Sequence, residues 1–116
     1  MYVKSVNIYI LIDPRDNEIR YVGKTIQSLR DRLKGHVDKS KVRTDHRSLW
    51  ITQLLRLGYR PRIELIQTVG SHDWRIAEPY WIGYYRSLGC DLTNGTEGGD
   101  GGDSPTPEVQ HHIEGL

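Results

Sequence analysis

From residue 5 onward, hydrophobic and polar residues alternate. Val6, Ile8, Ile10 and Ile12 fall on one parity, and Ser5, Asn7, Tyr9 and Leu11 on the other. A period of two belongs to a half-buried strand, whose successive side chains point to opposite faces. The run stops at Asp13-Pro14-Arg15-Asp16-Asn17, a turn cluster in which Pro fixes φ and Asp or Asn accept tight geometry. Glu18 to Lys24 resumes the strand pattern, so the chain opens with a hairpin that turns Tyr9 away from the isoleucine row. Gly23 removes a side chain where the second strand ends, allowing another backbone or a ligand to approach closely.

The period then lengthens. Gln27 to about Asp38 reads as a helix with Ser28 as its candidate N-cap and Leu29, Leu33 and Val37 as its apolar stripe. Arg32 and His36 form an i,i+4 pair along one edge of that stripe, looking out from the core boundary. A polar, basic connection over residues 38–47 leads to a second helix, His46 to Leu57. Leu49, Trp50, Leu54 and Leu57 are its expected inward residues and Gly58 its stop. Arg62 to Val69 is rich in β-branched residues and predicts a third strand. Asp73 to Leu88 is helical in composition and closed by Gly89, but Pro79 falls inside it. A helix-interior proline removes a hydrogen bond and crowds the preceding turn, which predicts a late start or a bend beside Glu78. The order β-β-α-α-β-α gives an α/β (α+β) fold, a small, mainly antiparallel three-stranded sheet flanked by helices. Residues 1–100 form the expected domain, and 101–116 a Gly- and Pro-containing tail with a short helix from about Pro107.

Composition narrows the class. A chain of 116 residues with 36% apolar and 27% charged residues has the balance of one globular domain. A single cysteine, Cys90, cannot make an internal disulfide and fits a reducing compartment or a thiol without a role. The apolar run Ile8 to Ile12 is too short for a signal or a membrane span, so the expected location is cytoplasmic. Net charge is only +1, yet its distribution is lopsided. Residues 15–62 carry 13 Lys/Arg against 5 Asp/Glu, and the remainder 3 against 10. A basic block beside an acidic one is what a face that meets phosphates requires, and also what a solvated, salt-bridged surface can show.

Five features in order carry a resemblance. A hydrophobic triplet ends in tyrosine, Asn7-Ile8-Tyr9, and Tyr21-Val22-Gly23 follows after eleven residues (10–20). Arg32 stands four residues before His36, Glu78 three before Trp81-Ile82, and Asn94 in the loop beyond that helix. Together these resemble the GIY-YIG endonuclease family over residues 5–100, with Asn7 in place of the family's first glycine. The resemblance implies a metal-dependent endonuclease that hydrolyses DNA phosphodiester bonds. It implies one Mg²⁺ or Mn²⁺ ion per site, held by Glu78, since oxygen ligands suit these ions and Mg²⁺ keeps most of its waters. Tyr9 would act on the attacking side, as general base or as positioner of the water. A phenol is a poor base at neutral pH unless positive charge stabilises the phenolate, and Lys24 and Arg32 are the candidate cations. Arg32 would also grip the scissile phosphate through its planar fork. Tyr21 and His36 would complete the hydrogen-bonding shell, Gly23 would admit the phosphate backbone, and Asn94 would pin the C-terminal loop. His46 is either a supporting member of the site or an ordinary helix residue. Lys24, Arg30, Lys34, Lys39, Lys41 and Arg43 are the expected DNA contacts.

Other signals fall away. Gly98 to Asp103 matches one copy of a calcium-binding glycine repeat, too little for a β-roll. Asn94-Gly95-Thr96 matches a glycosylation acceptor without a secretion signal, and His111-His112 lacks companion ligands at zinc spacing. Three roles stay open: a phage, mobile-element or homing-type nuclease; a structure-specific repair nuclease; and a non-catalytic DNA-binding module. No specificity element is visible, which leaves room for a transient homodimer on DNA or a separate specificity subunit.

Overall fold

The computed structural model describes residues 5–95. Its elements are β1 (Ser5–Asp13), β2 (Glu18–Thr25), α1 (Leu29–Ser40), α2 (His46–Arg56), β3 (Arg62–Gly70) and α3 (Trp74–Ser87). They form one three-stranded antiparallel sheet in the order β2-β1-β3, with β1 in the centre. This is the expected β-β-α-α-β-α order and the expected α+β architecture. The tail, its short helix, Gly98 to Asp103 and His111-His112 lie outside the described residues.

β1 differs from the half-buried strand that alternation predicts, because both its faces are covered. Ile8, Ile10 and Ile12 pack with Val22, Ala77, Ile82 and Leu92 on the α3 side. Tyr9 and Leu11 pack with Tyr21, Val37, Trp50, Ile51 and Leu54 on the side of α1 and α2. Two helical layers therefore sandwich the sheet, and the two rows of one strand serve two separate cores. The hairpin closes through Asn17, whose φ of 63° is the left-handed conformation that asparagine tolerates better than other non-glycine residues. Its N–H donates to the Asp13 carbonyl at 2.8 Å.

The helices begin where short polar side chains can cap them. Ser28 Oγ accepts from the Asp31 N–H, and Asp45 Oδ1 accepts from the Ser48 N–H, satisfying N–H groups that have no partner within the helix. α2 is turned differently from expectation. Leu49 and Leu57 are each 54% exposed, while Trp50, Ile51 and Leu54 face inward. Leu57 is the C-cap, with ψ near zero, so the chain has left the helical path before that side chain could reach the core. Trp50 Nε1 donates to Asp13 Oδ2 at 3.2 Å, and Arg15 holds the same carboxylate through its backbone N–H, Nε and Nη2. The hydrogen bonds from Arg15 hold the Asp13 carboxyl down at about 2, so it stays a charged anchor for α2.

α3 does not start late. It runs from Trp74 through Pro79 without interruption. Ala77 and Glu78 before the proline and Ile82 after it are all buried, so contacts with the sheet on both sides of Pro79 hold the helix where its own ladder is weakened.

Candidate active site

Tyr9 is paired with Gly23 across β1 and β2. A Cβ at position 23 would sit 2.5 Å from Tyr9 Oη, 2.6 Å from its Cζ and 2.7 Å from Tyr21 Cε2. Gly23 thus makes room first for the protein's own phenol, which lies across it. Below the ring, α1 supplies the partners. Tyr9 Oη is hydrogen-bonded to His36 Nε2 at 2.6 Å and accepts from Arg32 Nε at 2.9 Å. The i,i+4 spacing of Arg32 and His36 brings both to one atom. Tyr21 closes the cluster, with its ring 6.2 Å from that of Tyr9 and 5.3 Å from that of His36, edge-on to the latter. Tyr9 is fully buried, and Tyr21 and His36 nearly so. His36 therefore lies within the core, deeper than the boundary position its helical projection suggests.

Burial sets the electrostatics. It pushes the Tyr9 phenol well above its ordinary range, with Tyr21 adding to the effect and Arg32 only partly opposing it. Burial, and then the charges of Arg32 and Arg47, push the His36 imidazole down to about 3. At neutral pH both groups are uncharged. The cations expected to favour a phenolate do not outweigh desolvation, and Lys24 is engaged elsewhere, its Nζ 4.3 Å from the centre of the Trp74 ring. The sign of the linkage follows. The unfolded chain takes up a proton at this histidine below about pH 6.5, whereas the folded chain resists until about 3. Stability is expected to fall with acidification across that window, by up to about 1.4 kcal/mol per pH unit. Thermal melts from about pH 7 to about pH 4 should show the decline, and a His36→Gln chain should show a shallower one. Identical slopes for the two chains would contradict the assignment.

The remaining predicted residues fall into three places. Glu78 is 7% exposed and sits among the sheet-facing residues of α3, next to Ala77 and one turn before Ile82. α3, which carries it, packs on the isoleucine face of the sheet, the face to which Lys24 also turns. Asn94 lies along the outer edge of β2, where its Oδ1 accepts from the Val22 N–H at 3.0 Å and its Nδ2 donates to the Val22 carbonyl at 2.8 Å. One side-chain amide thus substitutes for a neighbouring strand, and Thr93 extends the seam through its Oγ1 to the Arg20 carbonyl. Arg30, Lys34 and Lys41 line a groove of about 390 Å³ with Arg60, Asp31, Asp38 and Val37. This groove is on the flank of α1 turned away from Arg32 and His36, as the helical repeat requires. Lys39 and Arg43 are exposed, and the same repeat puts Lys39 on the Arg32 and His36 flank, where its charge acts on His36. His46 opens α2.

One site residue was missed by sequence reasoning. Arg47 donates from Nη1 to Tyr21 Oη at 2.9 Å, and its guanidinium carbon lies 4.9 Å from the ring centre. Nothing local in the sequence distinguishes it from the other arginines of the basic block.

A divalent ion has one fitting donor here. Asp13 and Glu78 are the buried acids among the described residues. Asp13 is occupied by Arg15 and Trp50. No group of three or more His, Cys, Asp or Glu side chains suited to a metal occurs among the described residues. A lone carboxylate supplemented by water and substrate oxygens suits a hard ion such as Mg²⁺ or Mn²⁺ and does not suit zinc.

The family model described as the GIY-YIG catalytic domain matches residues 5–90, about three quarters of the chain, and the protein belongs to that family. Neither the search of curated proteins nor that of solved structures gave a match. Membership makes this a nuclease-type domain with DNA as its implied substrate. No helix among the described residues is long and apolar enough to cross a membrane.

Proposed function

We propose that this domain is a divalent-metal-dependent DNA endonuclease in which Tyr9 receives a proton from the attacking water while passing its own to His36. The observation that carries the reading is the position of Tyr9 Oη, between Arg32 Nε and His36 Nε2. A neutral phenol with a raised pKa is not a reservoir of phenolate, but it is a competent relay. As Arg32 donates to the oxygen, the phenol O–H points to His36 Nε2, which accepts it in the Nδ1–H tautomer. An imidazole held neutral at working pH has that lone pair available, as a weak base. When water attacks phosphorus, one of its protons moves to Tyr9 Oη and the phenol proton moves to Nε2, leaving a neutral phenol and an imidazolium that later loses its proton to solvent.

Tyr9 is wholly covered, and half-buried Arg32 forms part of the cover. A phosphate that draws the Arg32 fork outward binds through two parallel N–H···O contacts and uncovers the phenol oxygen in the same motion. Glu78 would hold the divalent ion, which supplies charge neutralisation for the phosphoryl and departing oxygens when bound. A single such centre cuts one strand per visit, so nicked circles should precede linear product.

Supercoiled plasmid incubated with the protein and Mg²⁺ or Mn²⁺ should be nicked, and excess EDTA should abolish the nicking. Plasmid that is retarded on a gel but never nicked with either metal would sink the catalytic reading and leave a binding module.

A further inference from the structure

The arginine that sequence reasoning passed over is built into the site more firmly than a surface cation needs to be. Arg47 is the second residue of α2, and its side chain is only 19% exposed. Three contacts fix it. Nη1 donates to Tyr21 Oη at 2.9 Å, the guanidinium plane lies by the Tyr21 ring, and Nε stands 3.9 Å from Asp45 Oδ1. Asp45 is itself fixed, because the same oxygen caps α2. The helix in turn is tied to the end of the hairpin through Trp50 and Asp13. A rigid path therefore runs from Asp13 through α2 to one phenol oxygen on β2.

That phenol belongs to the ring that packs edge-on to His36 and beside Tyr9. If the Tyr21 ring tilted, the wall of the relay would move, because Tyr9, Tyr21 and His36 touch pairwise. We propose that Arg47 is a positioning residue of the nuclease site, gripping Tyr21 by its oxygen and its face so that Tyr21 stays fixed against Tyr9 and His36. This rests on the nuclease reading above. An aliphatic residue at 47 cannot do the same, and lysine can do it only in part. The ammonium can donate to Oη but lacks the flat fork that bonds and stacks at once. The charge of Arg47 also lies near enough to His36 to help keep it unprotonated.

The test compares Arg47→Met, Arg47→Lys and, as a control for loss of one exposed charge on the same helix, Arg56→Met. Single-turnover nicking of supercoiled plasmid in Mn²⁺ should slow by roughly tenfold to a hundredfold in Arg47→Met. Plasmid affinity should stay within about twofold, Arg47→Lys should recover part of the rate, and the control should match wild type. In a Tyr21→Phe background, Arg47→Met should cost clearly less than in wild type, since the share of the effect carried by that oxygen is already lost. Losses that multiply independently, or a loss confined to affinity and relieved by lower salt, would overturn the proposal and make Arg47 a phosphate contact. A second readout does not depend on cleavage. The ¹³C-labelled ring resonances of Tyr21 and His36 should shift in Arg47→Met, with His36 titrating at higher pH, and should not move in the control. A wild-type chain that never nicks plasmid sinks the nuclease reading, while unmoved Tyr21 and His36 resonances sink the role of Arg47.

Discussion

Replacing Glu78 with glutamine is expected to reduce metal-dependent nicking of supercoiled DNA by roughly a thousandfold, about 4 kcal/mol of barrier, while the protein stays folded. Glutamine keeps the volume of the side chain and leaves the packing around Ala77 and Ile82 intact. It removes the negative charge that a hard cation needs, and an amide oxygen is a much weaker ligand for Mg²⁺ than a carboxylate. The effect should be large because the other buried acid among the described residues, Asp13, is bound by Arg15 and Trp50 at the far end of the hairpin. Raising the Mn²⁺ concentration should recover part of the rate, since weaker affinity is the defect. A Glu78→Gln chain that nicks at the wild-type rate would make this acid a packing residue of α3.

The parts of the site that were legible in the sequence are those set by local periodicity. Alternation puts Tyr9 on the row opposite Ile8 and Ile10, and helical spacing puts Arg32 and His36 on one edge of α1. Both are repeats of two or four residues, and both survive folding unchanged. What sequence periodicity could not give was depth. β1 looked half-buried because Ser5 and Asn7 are polar, yet Tyr9 and Leu11 on the same row are enclosed by α1 and α2. That enclosure, absent from any short window, moves the Tyr9 and His36 pKa values in opposite directions and leaves both groups uncharged at neutral pH. Arg47 was hidden for a related reason. Its contact with Tyr21 spans 26 residues and depends on how α2 is rotated, which the Trp50–Asp13 bond decides. A partial signal was present, since Asp45 three residues before Ser48 is a cap and boundary pattern that fixes where α2 begins. Pro79 does not delay the start of α3, because buried Ala77, Glu78 and Ile82 hold the helix to the sheet on both sides of it, contacts that local propensity does not contain.

Tyr9→Phe removes one oxygen atom and should be the most damaging conservative change in the protein. Both α1 partners lose their shared contact, so His36 Nε2 and Arg32 Nε must find others, at a cost of about 1–3 kcal/mol in stability. The phenyl ring still fills the space over Gly23 and packs against Tyr21, so the fold and the affinity for DNA should persist. The chemistry should not, because Tyr9 Oη is the atom that Arg32 Nε and His36 Nε2 share. A loss of about 10³- to 10⁴-fold is expected for a group that handles the proton of the attacking water. The most direct measurement is the single-turnover nicking rate of supercoiled plasmid by wild-type and Tyr9→Phe protein at saturating Mn²⁺, below the melting temperature of both, with equal plasmid binding verified by gel retardation. The account predicts nicking by the wild type and almost none by the variant; equal rates would contradict it.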